Sequence, residues 1–201
     1  MKKNFLTITI VGILLLARAQ AGELQVGFAQ LSITPDLIDQ WVDVDNNAQF
    51  DPDIDLWTDV NGNGKFDAVW MAGFQNQRPA QGIKDNLMAV AVVIDDGKNR
   101  IGIVTADTVG LMRKFVLGVR EAVPSEWGLD YLMVHATHNH EGPDTQGLWG
   151  PSLFSSGVDS DYMQQCCSLN CPMRVFGSFR SNDGEFNHNF AKRWVLDLKV
   201  C

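Results

Sequence analysis

The amino-acid sequence predicts an α/β domain: a mixed sheet with at least one parallel β-α-β crossover, flanked by helices and carrying an Asp/Asn-rich insertion. Three observations predict it. Short apolar runs at residues 24–33, 87–94, 101–105 and 131–136 are bounded by turn residues, as strands are. Between the last two runs, Leu111, Phe115, Val116, Val119 and Val123 recur at helical spacing. Residues 36–81 follow neither period; they are polar, rich in Asp and Asn, and threaded with Trp41, Trp57 and Trp70.

The first 21 residues read as a secretory leader. Lys2 and Lys3 precede an apolar run over residues 5–17, and Ala19-Gln20-Ala21 offers small residues for cleavage. The run is short for a membrane span, so a removed leader is expected, leaving a secreted or periplasmic chain that begins near Gly22. The first strand then covers residues 24–33 and stops at Thr34-Pro35-Asp36.

The insertion is too long for a structureless connection in a compact domain, unless it is functional or held by ions. It contains a repeat: residues 43–51 read DVDNNAQFD and residues 59–67 read DVNGNGKFD, 16 positions apart. Asp59, Asn61, Asn63 and Asp67 stand at positions 1, 3, 5 and 9 of a calcium loop, where alternate side-chain oxygens converge on one hard cation. Asp43, Asp45, Asn47 and Asp51 do the same in the first copy. The second copy is the better match, because Gly64 fills the sixth position where a sharp turn is needed and Ala48 replaces it in the first. Trp70 stands where an EF-hand has its bidentate Glu. A structural Ca2+ site is the expectation; Asx-rich turns without an ion are the alternative.

After Gly82 the pattern becomes layered. A buried strand over 87–94, a turn at Asp95-Asp96-Gly97 and a strand over 101–105 lead into a helix over 109–123, which Pro124 stops before the strand at 131–136. The strand–helix–strand order predicts a right-handed parallel crossover. Ligand sites in such sheets gather beyond the carboxyl ends of the strands. Asp107 lies just past one such end, and His138 and His140 just past the next. In an extended segment, residues two apart project to one side, so these imidazoles converge while His135 faces away. Glu141-Gly142-Pro143-Asp144 then turns the chain and adds carboxylates. Imidazole and carboxylate suit zinc or a similar divalent ion. A polar loop with surface histidines is the plain alternative, and Asp107 reads equally as a helix N-cap or first-turn carboxylate.

Charge is distributed unevenly. Residues 22–163 carry 8 basic and 21 acidic side chains, whereas residues 164–201 carry 5 and 3. Such an acidic domain lacks the clustered Lys and Arg that nucleic-acid binding requires, and its carboxylates suit metal ions. All four cysteines, Cys166, Cys167, Cys171 and Cys201, fall within the last 36 residues, an odd place for a disulfide framework.

Several blocks together resemble a family. Gly27-Phe28-Ala29 with Ile33-Thr34-Pro35, then Gly82-Ile83-Lys84-Asp85-Asn86-Leu87, Thr105-Ala106-Asp107, and the run from Ala136 to Pro143 (ATHNHEGP) are similar in order and spacing to the N-terminal catalytic domain of neutral/alkaline non-lysosomal ceramidases. The likeness spans residues 26–164, and the ATHNHEGP block is its most specific part. It implies a zinc amidohydrolase that cleaves the amide of ceramide into sphingosine and fatty acid, with a lipid or other amide-bearing small molecule as partner and peripheral membrane contact. It further implies that His138 is a zinc ligand, with His140 as alternative ligand or acid/base partner. Asp107 and Asp85 are the carboxylates expected to support them.

Two departures stand out. Family members usually carry a zinc-ligating His where this chain has Lys84, and a protonated lysine repels a cation. The family's later ligands and its Gly-Asp-x-Ser-Pro segment do not occur here, and the likeness fades near Gln164. Residues 22–164 are therefore expected to be a partial domain, and residues 165–201 an atypical Cys-containing tail, aberrant in the favoured reading and a genuine short C-terminal segment in the alternative. A hydrolase of another amide or ester, and a non-catalytic calcium-stabilised domain, are the alternatives. A sheet cut short is also expected to leave an apolar face uncovered.

Overall fold

The computed structural model describes residues 24–167; the expected leader, and residues 168–201 with Cys171 and Cys201, lie outside the described residues. The elements run β1 (Gln25–Ser32), β2 (Gln40–Val42), β3 (Leu56–Thr58), β4 (Met88–Asp95), β5 (Arg100–Ala106), α1 (Arg113–Ala122), a 3-10 turn (Ser125–Trp127), β6 (Tyr131–Ala136) and α2 (Ser160–Cys167). The main sheet has the order β1-β4-β5-β6. Its first two pairings are antiparallel, and β5 pairs with β6 in parallel across the α1 crossover. The mixed α/β architecture expected from sequence is the one observed.

Strand parity decides which face is buried. Ala29, Ala91, Val93, Val104 and Leu132 project to one side and pack with Val119 of α1, flanked by Phe115, Val123 and Trp127. A second cluster of Ile33, Leu87, Ala89 and Ala106 takes in Leu111 and, from α2, Cys166. The opposite parity gives a register line Phe28–Val92–Ile103–Met133 across all four strands. Its two edge residues, Phe28 and Met133, are exposed, as are Val26, Ile101 and Tyr131 on the same face.

One element begins later than its apolar spacing suggests. The helix expected over 109–123 spans Arg113–Ala122, because two carbonyls ahead of it are committed elsewhere. Val109 O accepts from His138 Nδ1, and Gly110 O accepts from Thr145 Oγ1. This corrects the reading of Asp107 as an N-cap or first-turn carboxylate: Met112 is the N-cap, and the first turn holds no acidic residue.

Helix α2 runs through the boundary expected near Gln164 and buries Tyr162. Burial pushes the Cys166 thiol above its ordinary value, with a hydrogen bond to Tyr162 acting weakly the other way. The uncharged thiol is the form the fold favours, so its contribution to stability is intact below the ordinary thiol pKa. That contribution is lost as pH rises toward the raised folded value. Alkylation of Cys166 at pH 8 is accordingly expected to be slower in the native chain than in urea, read by peptide mapping. Equal rates would contradict the burial.

The insertion is an ordered unit. β2 and β3 form a two-stranded ribbon with Trp41 opposite Trp57. Trp41 packs edge-on to Phe50, Trp57 packs on Phe66, and Phe50 and Phe66 stack at 4.0 Å between ring centroids. The same aromatic pair thus recurs 16 residues on and meets its copy through the Phe50–Phe66 stack and the Trp41–Trp57 register. Aromatic burial, rather than chain regularity, holds this long segment together.

Candidate functional site

Beyond the ends of β5 and β6 the two segments continue side by side. Thr137 N–H donates to Ala106 O at 3.0 Å, and Asn139 N–H to Thr108 O at 3.1 Å. His138 sits between these contacts with φ 66°, a left-handed conformation that His tolerates better than most residues. The convergence of the two imidazoles was expected from extended backbone; it arises instead from this turn. His138 Nδ1–H donates to Val109 O at 2.7 Å, which places the lone pair on Nε2. His138 Nε2 faces His140 Nε2 at 3.2 Å, with the rings nearly perpendicular. His135 projects to the exposed face and meets Thr105 Oγ1 at 2.8 Å.

The pair can be tested against zinc directly. Two Zn–N bonds of about 2.0–2.1 Å at a tetrahedral angle hold their nitrogens about 3.3 Å apart. The observed 3.2 Å matches that bite, and without metal it is the length of a hydrogen bond from His140 Nε2–H to His138 Nε2. Zinc-bound histidines also donate their other ring N–H to a carbonyl or carboxylate, which Val109 O provides for His138. His140 differs, because its Nδ1 is buried without a hydrogen-bond partner. His138 thus has an anchored ring with its Nε2 directed into the pair, whereas His140 lacks such an anchor. Among the described residues, no third His, Cys, Asp or Glu joins the pair.

The carboxylates expected beside the histidines are employed differently. Asp107 Oδ2 accepts the Met88 N–H at 2.9 Å, and its Oδ1 accepts the Thr137 hydroxyl at 3.1 Å. It braces the start of β4 against the residue preceding His138. Asp85 lies with Lys84 in a cleft of about 470 Å³ that also takes in Asn139 and Glu141, the residues alternating with the histidines. No hydrogen bond joins Asp85 or Asp107 to either imidazole; the orienting acceptor is the Val109 carbonyl. Asp144 is fully buried. Its carboxylate accepts four backbone N–H groups, from Gln146, Gly147, Trp149 and Gly157, at 2.8–3.2 Å. It organises the following loop and is not beside the imidazoles.

The two Asp/Asn loops have the same backbone. Asn46 and Ala48 in the first match Gly62 and Gly64 in the second, all at φ 59–76°. The loops are closed crosswise by residues the nine-residue repeat does not include. Asp55 accepts the N–H groups of Val44 and Asp51 in the first loop; Asp39 accepts those of Val60 and Asp67 in the second. Extending the repeat back by four positions, to Asp39-x-Trp41 and Asp55-x-Trp57, reveals both in the sequence. Carboxylate oxygens of Asp43, Asp45 and Asp55 lie within 4.8 Å of one another, an arrangement that could hold a metal ion. In the second loop the Asn61 and Asn63 amide nitrogens donate to Asp67 Oδ2, so both amides must turn before their oxygens can face a cation. The first loop, the weaker match in sequence, has the more acidic donor set.

Among the described residues, no helix is long and apolar enough to cross a membrane. No family model and no curated protein matches the chain in sequence. Among the solved structures similar to it are two ceramidases. The neutral ceramidase from Pseudomonas aeruginosa is 19% identical with a TM-score of 0.41, over 60% of this chain and 16% of that one. A ceramidase complexed with C2 is 17% identical with a TM-score of 0.37, over 60% of this chain and 15% of that one.

Proposed function

We propose that this chain carries part of the active site of a secreted or periplasmic zinc-dependent amidohydrolase of the neutral ceramidase kind, acting on the amide of ceramide or a related lipid. One observation supports it above the others: two imidazole Nε2 atoms set at the bite of a tetrahedral metal, one of them already oriented by a carbonyl. The ATHNHEGP resemblance supplies the reaction. Bound zinc would polarise the amide carbonyl and acidify water.

The chain's own residues would do the rest. His138 offers Nε2 as a ligand while Val109 O holds its ring and tautomer. His140, at 3.2 Å, completes the bite or carries the proton that the leaving amine needs. Asp107 holds the backbone entering His138 through Thr137. A cleft lined by Asn139 and Glu141, though by neither imidazole, offers apolar walls from Pro35, Leu37, Met71, Ile83 and Leu87, with Lys84 and Asp85 at its polar edge. Its size falls within the roughly 300–1,000 Å³ of small-molecule sites, and its walls suit an acyl or alkyl chain.

Lys84 favours a second reading, a hydrolase of another amide or ester, because it brings a cation into that cleft. Incubating the zinc-loaded chain with a short-acyl ceramide and, separately, a p-nitrophenyl ester distinguishes them. Release of sphingosine supports the first reading. Ester cleavage without amide cleavage supports the second.

For the insertion we propose a structural Ca2+ role, motivated by the convergence of Asp43, Asp45 and Asp55. A cation at 100 times its Kd stabilises the folded state by about 2.7 kcal/mol. Millimolar Ca2+ is therefore expected to raise Tm by several degrees, and Asp43→Asn with Asp55→Asn to remove the rise. An unchanged Tm in the unsubstituted chain would leave the loops as plain Asx turns.

A further inference from the structure

The turn at residues 70–79 contains none of the blocks that carry the resemblance, yet it touches His140 from two sides. One arm pairs with the chain just after the histidines: Asp144 N–H donates to Trp70 O, Ala72 N–H donates to Gly142 O, and Met71 bridges to Pro143. The other arm returns through Met71 N–H to Arg78 O and Ala80 N–H to Val69 O. At the tip, Gly73 has φ 87°, and a Cβ there would collide with Nδ1 of the His140 ring. Phe74, at φ 63°, lays its ring 5.2 Å from the His140 ring centroid. Arg78, largely buried, donates through Nη2 to His140 O at 2.7 Å and to Ala72 O at 3.1 Å. Its Nη1 lies 3.7 Å from the Glu141 carboxylate, and its Cζ lies over Phe74 at 5.2 Å. The turn is tied from behind to the first Asp/Asn loop, since Phe50 N–H donates to Gln77 O and Gln75 Nε2 to Asn47 O.

We propose that Gly73 and Arg78 are positioning residues for His140: they hold its ring and backbone so that Nε2 meets His138 Nε2. The two histidines are anchored by different parts of the molecule. His138 is fixed to the sheet rim through Val109, whereas His140 Nδ1 has no hydrogen-bond partner of its own. Steric bracketing by Gly73 and Phe74, with Arg78 on the carbonyl, does for His140 what the Val109 hydrogen bond does for His138. Only glycine fits at 73, on two counts, the left-handed backbone and the contact with the ring. A lysine at 78 keeps the charge but not the planar guanidinium, whose Nη2 serves both carbonyls while Nη1 faces Glu141.

The zinc readout of this inference rests on the proposed zinc site, so the test pairs it with a metal-free one. Gly73→Ala, Arg78→Lys and the control Gly118→Ala, at a helical glycine with open space around it, are compared as purified full-length chains. Two-bond proton–nitrogen spectra of the imidazoles without metal are expected to show one fixed tautomer for His140 in the unsubstituted chain and in Gly118→Ala. Tautomer averaging is expected in Gly73→Ala and Arg78→Lys. Zinc Kd is expected to weaken at least about 10-fold in those two variants only, the scale of losses behind a metal ligand. A folded Gly73→Ala with unchanged spectrum and unchanged Kd overturns the proposal. If Gly73→Ala fails to fold, Arg78→Lys decides by the same readouts. If the unsubstituted chain takes up no zinc, the zinc reading fails and the imidazole spectra alone decide the positioning role.

Discussion

Asp144→Ala is expected to destabilise the chain by on the order of 4 kcal/mol, enough to abolish a cooperative melt in a marginal domain. The carboxylate is fully buried and accepts four backbone N–H groups within a loop that doubles back from Gln146 to Gly157. Alanine leaves all four donors without that acceptor, and each unsatisfied group costs about 1–3 kcal/mol before relaxation or water entry. Asp144→Asn should fall between, because one amide oxygen replaces two carboxylate oxygens and the NH2 group points at donors. The same loop is stitched to the turn at 70–79, with Gln77 N–H donating to Gly150 O and Gly150 N–H to Asn76 Oδ1. Damage at Asp144 is therefore expected to reach His140 as well. Urea melts by far-UV circular dichroism check the magnitude; a loss under about 1 kcal/mol would mean the loop finds other acceptors.

The second large effect is an asymmetry between the histidines. His138→Ala removes the imidazole whose Nδ1–H is anchored and whose Nε2 lone pair is directed into the pair. His140→Ala removes the ring whose Nδ1 is buried without a hydrogen-bond partner. Zinc affinity is expected to fall by about 100-fold or more in His138→Ala and by a smaller factor in His140→Ala, because outer-shell orientation alone is worth about 10–100-fold. Competition titration with a chromogenic chelator measures both. A larger loss in His140→Ala would reverse the assignment of ligand and proton carrier.

What the sequence revealed, and what it hid, follows from the range of the interactions involved. The strands at 87–94 and 131–136 were legible because parity and β-branched residues are local signals, and both lie within a residue of β4 and β6. The start of α1 was not, since the carbonyls of Val109 and Gly110 are claimed by His138 and Thr145 from nearly 30 or more residues away. The histidine pair was legible as a pair, yet the physical reason differs: a left-handed His138, not strand alternation, brings the rings together. Asp144 read as a site carboxylate because Gly-Pro-Asp looks like any acidic turn; its four donors become visible only when the loop folds back. Asp39 and Asp55 were readable in principle, since the 16-residue displacement relates them as it relates Trp41 to Trp57. Their crosswise roles were not, because each closes the other's loop.

Metal content by mass spectrometry on the purified chain, beside His138→Ala/His140→Ala, tests the proposed zinc site most directly. The expected result is about one zinc per chain, lost in the double variant while calcium stays unchanged. Calcium alone, retained equally by both proteins, would contradict the zinc site and leave this chain as a domain held by its Asp-rich insertion.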